Sequence, residues 1–177
     1  MKNMKNIFNT FVILLVIISS IIVLGLPFQA ISEQDEVFSE KDHKVIIGKV
    51  IGVTDGDTIT ILNDKIQYKI RLAEIDTPEK KQPFGTKCKQ ILSDKVFGKE
   101  VKVLWDKEDR YKRIIGTIIL NERNINKEMV SEGFAWHYKQ YSKSKELEEL
   151  EQKAREEKRG LWADKNPIPP WEFRKKK

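Results

Sequence analysis

From Lys44 onward the sequence is written in short apolar runs separated by tight turn signals, and this pattern limits what the chain can fold into more than any other feature. Val45 to Val53 is nearly continuously apolar, the pattern of a strand covered on both sides. Asp55-Gly56-Asp57 makes a turn, and Thr58 to Leu62 then alternates with Ile59 and Ile61 on one face. After a second turn at Asn63-Asp64-Lys65, Ile66, Tyr68, Ile70 and Leu72 share one face of a third strand, with Gln67, Lys69 and Arg71 on the other. The result is a three-stranded meander with a core face and a polar face, and Arg71 lies on the polar one.

Beyond the meander the period changes. Thr86 to Val96 reads as a helix closing near Gly98. Val101, Val103 and Trp105 alternate as a fourth strand, and Arg113 to Leu120 supplies a fifth. Asn126 to Glu132 forms a short helix ending at Gly133. A last helix runs from about Ser144 to Arg159, with Leu147, Leu150 and Ala154 on one stripe and Gly160 as its stop. Five short strands with about three interspersed helices define an α+β fold, a small, partly open five-stranded barrel of the OB kind, a shape that often binds oligonucleotides. Residues 44–165 hold this domain, and residues 166–177 form a proline-rich tail ending in Arg174-Lys175-Lys176-Lys177, expected to be a loosely ordered basic end.

The first thirty residues are of a different kind. Lys2 and Lys5 give a positive start, Phe11 to Leu26 is an uncharged apolar run, and Pro27 to Ala30 breaks it before Glu33, Asp35 and Glu36. This is the order of parts in an export signal. The run is slightly long for a cleaved signal and short of the roughly 20 residues of a full span, so residues 1–30 are either removed or kept as a membrane anchor. Export is expected either way, with residues 31–43 as a polar linker and no other contact with a membrane.

Charge narrows the partners. The chain carries a formal +6, and without residues 1–30 the balance is 31 basic against 27 acidic residues. An anionic partner is favoured, though many basic proteins bind nothing anionic in particular. Cys88 is the sole cysteine and stands with only two histidines, which excludes an intrachain disulfide and a structural zinc cluster.

Three segments gather the residue types of a reactive site. Asp55-Gly56-Asp57-Thr58 taken alone is a hairpin turn. Arg71-Leu72-Ala73-Glu74-Ile75-Asp76-Thr77-Pro78-Glu79 taken alone is a strand end with solvated charges. Strict alternation puts Arg71 and Asp76 on opposite faces, so a bend is needed to bring them together; Pro78 holds Thr77 extended. Asp109-Arg110-Tyr111-Lys112-Arg113 taken alone is a wet loop between strands.

Together and in this order, the three segments resemble the staphylococcal nuclease-like (thermonuclease) domains over roughly Lys44 to Ala163. The endings Lys158-Arg159-Gly160-Leu161-Trp162 and Asn166-Pro167-Ile168-Pro169-Pro170-Trp171-Glu172-Phe173-Arg174 look like those of many bacterial members. The resemblance implies a calcium-dependent nuclease acting on DNA and RNA with little sequence preference, leaving 3′-phosphate ends, and working as a monomer. It implies that Asp57 and Asp76 bind the ion through carboxylates and Thr77 through its carbonyl, with Arg71, Glu79 and Arg113 as the catalytic trio. The residue types suit that chemistry. Calcium takes about six to eight oxygen ligands, which leaves room for water and a phosphate. Two guanidinium forks can bind a phosphate more strongly as charge builds on it. Glu79 is of the type that orients or deprotonates water. Tyr111 and Tyr141 are candidates to stack on a nucleotide, and Arg110 to touch a phosphate; for Tyr141 the bland alternative is plain packing.

Lys112 departs from the family pattern, which has glycine there. If that position needs a positive φ, lysine adds about 1 kcal/mol of strain and shifts Arg113. The segment between Glu79 and the first helix is also shorter than in the founding member. The rival reading is a binding module on the same barrel with catalysis lost; the presence of all five acidic and basic side chains argues against it.

Overall fold

The computed structural model describes residues 43–176. The signal or anchor segment and nearly all of the linker expected before the domain lie outside the described residues. Among the described residues no helix is long and apolar enough to cross a membrane.

Strands β1 (Lys44–Asp55), β2 (Thr58–Asn63) and β3 (Ile66–Leu72) form the expected antiparallel meander. On its other edge β1 pairs antiparallel with β5 (Glu100–Glu108), which pairs with β6 (Ile114–Leu120). The circuit closes where β6 runs parallel to β3, with Ile70 opposite Ile114 and Arg71 opposite Ile115. The five-stranded barrel is therefore closed rather than partly open, which removes the unpaired edges a small sheet would expose. Register shifts in β1 at Val50/Gly52 and Val53/Asp55, and in β5 at Trp105/Lys107, supply the bends that closure needs.

The inward faces carry Val50, Ile59, Ile61, Ile70, Leu72, Val103 and Ile118, all essentially without solvent contact. Burying each contributes roughly 1.5–3 kcal/mol. Helix α1 (Gly85–Val96) adds Leu92 and Val96, and α2 (Ile125–Ser131) adds Ile125, Met129 and Val130. The continuous apolar run of β1 is not covered on both sides. Val45, Ile47 and Ile51 point outward and are exposed, because the barrel has one interior and no layer covers these residues from outside among the described residues.

Asn126 is buried at the closure seam. Its carboxamide oxygen accepts from the Ile118 N–H at 3.0 Å, and its nitrogen donates to the carbonyls of Ala73 at 3.0 Å and Gly116 at 3.2 Å. This single side chain ties α2 to the end of β3 behind Arg71.

Helix α3 (Lys145–Glu156) is capped by Ser144, whose hydroxyl accepts from the Leu147 N–H. It ends three residues before the expected Arg159, since Lys158 takes a left-handed turn (φ 54°) and Gly160 (φ 51°) opens a short 3₁₀ turn over Gly160–Ala163. Trp136, Ala154, Leu161 and Trp162 form a second apolar cluster there, with Trp171 packed on it. Trp171 belongs to a fourth helix, α4 (Pro170–Lys175), where a loosely ordered end is expected. Pro170 at its first turn is preorganised for helix, and the aromatic side chain supplies the anchor that a purely basic tail lacks.

Candidate active site

The bend required to unite Arg71 with Asp76 sits at Glu74, which adopts φ 64° between β3 and the two-residue strand β4 (Ile75–Asp76). Three contacts hold it there. The Glu74 carbonyl accepts from the Tyr138 N–H at 2.8 Å, and its carboxylate accepts from the Ser142 hydroxyl at 2.7 Å. Strand β4 also pairs with Trp136–His137 (β8, after the short β7 at Arg123–Asn124), so Asp76 is held as part of a small second sheet.

Asp57 enters from the β1–β2 turn. Its Oδ2 accepts from the Thr77 N–H at 2.9 Å and the Thr77 hydroxyl at 3.0 Å, and pairs with Arg71 Nη1 at 2.8 Å. Arg71 Nη2 reaches Asp76 Oδ1 at 2.9 Å. One guanidinium thus bridges two carboxylates, both buried (6% and 1% exposed). Gly56 makes this packing possible: a Cβ there would lie 2.7 Å from Thr77 Oγ1 and 2.8 Å from Cys88 Cβ. Glu79 follows in a turn closed by the Gln82 N–H to Glu79 carbonyl bond of 2.8 Å. That turn leaves no room for a side chain at Gly85, where a Cβ would sit 2.0 Å from the Glu79 carbonyl oxygen.

Sequence reasoning missed one member of this cluster. Arg174, from α4, donates to Asp76 Oδ1 at 3.2 Å, Asp76 Oδ2 at 2.7 Å and Glu79 Oε1 at 2.9 Å. The available signal was the pair of prolines and Trp171 just ahead of it, which mark a docked turn rather than a free tail.

The cluster is short of positive charge. Burial pushes the Asp76 carboxyl above its usual range, Arg174's hydrogen bonds pull it back, and the charge on Asp57 adds to the push. Asp55 is pushed up to about 6, by burial first and by Asp57 second. Two buried carboxylates carrying only oxygen donors, already drawing in a tail guanidinium, fit a hard divalent cation. Among the described residues no three acidic, histidine or cysteine side chains are grouped to hold a metal by themselves. Asp57 and Asp76 would hold such an ion, with its remaining ligands coming from backbone oxygen, water or a phosphate.

Arg113 stands apart from this cluster. Asp109 accepts from the Arg113 N–H at 3.0 Å, its Nε at 2.8 Å and the Tyr111 N–H at 2.8 Å. Burial opposes the charge on Asp109, but these bonds outweigh it and hold the carboxyl below its usual range. Register places Arg113 two residues before Ile115, the partner of Arg71, so both arginines belong to the outer face at the barrel's seam. Lys112 has φ 58°, which confirms that the position requires a left-handed residue. The guanidiniums of Arg110 and Arg113 lie over the Tyr111 ring, at 4.8 and 5.6 Å from its centre, and Tyr111 itself is exposed. Tyr141 is exposed as well and meets Tyr138 edge-on, while Tyr138 stacks flat on Trp171 at 5.5 Å. A groove of about 500 Å³ lies beyond this stack, lined by Trp136, Tyr138, Arg155 and Trp171 among others; it shares no lining residue with the carboxylate cluster.

A closed five-stranded barrel of the kind that often binds oligonucleotides carries two buried carboxylates bridged by an arginine on its seam, and the comparisons identify the class of protein. The family model described as staphylococcal nuclease homologue matches residues 69–164. An uncharacterized endonuclease of Escherichia coli is 43% identical over 133 residues, covering 75% of this chain and 87% of the relative. One from Haemophilus influenzae is 44% identical over 128 residues, covering 72% of each chain. A micrococcal nuclease of Shigella flexneri is 39% identical over 139 residues, covering 72% of this chain and 80% of the relative. The chain belongs to the staphylococcal nuclease family and is a nuclease, a hydrolase of phosphodiester bonds.

Proposed function

We propose that this nuclease is calcium-dependent, cleaves both DNA and RNA with little sequence preference, and leaves 3′-phosphate ends. The observation that carries the reading is the buried pair Asp57 and Asp76 bridged by Arg71, with Glu79 one turn further on. Asp57 and Asp76, with the Thr77 carbonyl, are the groups that would hold the calcium ion, which would supply positive charge to polarise the phosphate. Arg71 turns from bridging carboxylates to binding the phosphate, because its fork can hold two oxygens at once. Arg113 swings from Asp109 to the same phosphate from the loop that precedes β6. Both bind more strongly as charge accumulates in the five-coordinate transition state, which lowers the barrier. Glu79, a third exposed, orients or deprotonates the attacking water. Arg110, Tyr111 and Tyr141 contact the nucleotides on either side.

In the same reading the protein works as a monomer and is exported, secreted or held by its N-terminal segment, which is its only contact with a membrane. The basic balance of the sequence favours a polyanionic substrate. The test is digestion of plasmid DNA and of RNA by the purified protein with calcium and then with a chelator. Cleavage of both in calcium, abolished by chelation and by Glu79→Gln, supports the reading. Activity that survives the chelator overturns the metal assignment, and Glu79→Gln digesting at the parent's rate overturns the role of Glu79.

A further inference from the structure

We infer that the C-terminal helix is an internal counter-ion strap: Arg174 holds Asp76 and Glu79 in the metal-free enzyme, and calcium must displace it to bind. The inference rests on the calcium reading above. Asp57, Asp76 and Glu79 face Arg71 and Arg174, which leaves an unbalanced negative charge. Exchanging Arg174 for a divalent ion balances the same group. Arg71 and Arg174 together fill three of the roughly four lone-pair sites of the Asp76 carboxylate, and the guanidinium charges beside it repel an incoming cation, so withdrawal of Arg174 both frees oxygen sites and removes the repulsion.

The strap is built to let go of the site without leaving the protein. Asp76 is almost fully buried, but the Arg174 side chain is 39% exposed and Glu79 34%, so water can take over the guanidinium as it withdraws. Two anchors hold the strap independently of Arg174. Buried Gln82 donates to the Ile168 carbonyl at 2.6 Å while accepting from the Glu79 N–H at 3.1 Å, which ties the strap to the turn that carries Glu79. Trp171 lies flat on Tyr138 (interplanar angle 6°) and edge-on to Trp136. Tail and metal therefore compete for the same oxygens at a high local concentration of guanidinium. The strap lowers calcium affinity and keeps the buried carboxylates paired when no ion is present.

Calorimetric titration of calcium into the parent and into Arg174→Gln tests the competition. The expected result is about five- to tenfold tighter binding by the variant. The variant should also melt earlier than the parent without calcium, with the gap closing in saturating calcium. Trp171 fluorescence, taken as the difference between the parent and Trp171→Phe, should change on calcium addition to the parent and stay flat on adding it to an Arg174→Gln background. Equal or weaker calcium binding by Arg174→Gln overturns the strap alone and leaves the metal reading standing. No calcium binding by either protein overturns both.

Discussion

Arg71, on β3, and Arg113, in the loop that leads into the neighbouring β6, are the same residue type at the seam of one barrel, and they are held in opposite ways. Arg71 is locked between two buried carboxylates, and the backbone behind it is clamped by Asn126. Arg113 is held by Asp109, a residue of its own loop, in an arrangement of local bonds complete in itself. The barrel core builds the first region; the second is a small folded loop set on the barrel's rim. The difference separates structural from chemical roles. A change at Arg71 should register in stability and rate together, and a change at Arg113 in rate alone.

The largest effect is expected from Arg71→Ala. It leaves Asp57 and Asp76 buried without their bridge, which costs about 3–5 kcal/mol, and it removes a phosphate donor, lowering kcat/KM by about 10²–10³. Urea denaturation without calcium and initial cleavage rates measure the two, and an unchanged denaturation midpoint would break the comparison. Arg113→Ala should lower the rate by a similar factor of about 10² while moving stability by less than about 1 kcal/mol, since only a partly exposed ion pair is lost. A stability loss as large as that of Arg71→Ala would show that the loop is part of the core after all.

Lys112→Gly sharpens the picture of the loop. Relief of the left-handed backbone should add about 0.5–1 kcal/mol of stability, and cleavage should stay within about twofold of the parent, because Asp109 already fixes Arg113. A large rise in rate would mean that Lys112 holds Arg113 out of place. The smallest effect at neutral pH concerns Cys88, packed behind Asp57. Burial first, and the charge of Asp57 second, push its thiol up to about 12 from an ordinary 9. The folded chain then keeps a proton that the unfolded chain releases above pH 9. Stability is thus untouched by this group below pH 9 and falls as pH rises above it. Denaturation midpoints between pH 8 and 10 check this, and labelling of the thiol at pH 8 should proceed only as fast as unfolding.

Much of the barrel was legible because its strands carry period-two patterning and its turns carry Asp, Asn and Gly. The need for a bend between Arg71 and Asp76 was legible too, since alternation alone forbids their meeting. The location of that bend at Glu74 was not, because it depends on Tyr138 and Ser142, about 65 residues away in sequence. The exposed face of β1 misled for a related reason: Val45, Ile47 and Ile51 read as buried, and local hydrophobicity says nothing about which layers lie outside a barrel. Arg174 was missed as a site residue because the prolines and Trp171 ahead of it mark a docked turn without showing which carboxylates it docks on.

The central claim is that the buried carboxylate pair is the reaction centre. Asp76→Asn keeps the shape and removes the charge, so the rate of plasmid cleavage by this variant across a calcium series tests the claim most directly. The account predicts a loss of about 10² or more at every calcium concentration. Cleavage at the parent's rate and with the parent's calcium dependence would contradict it.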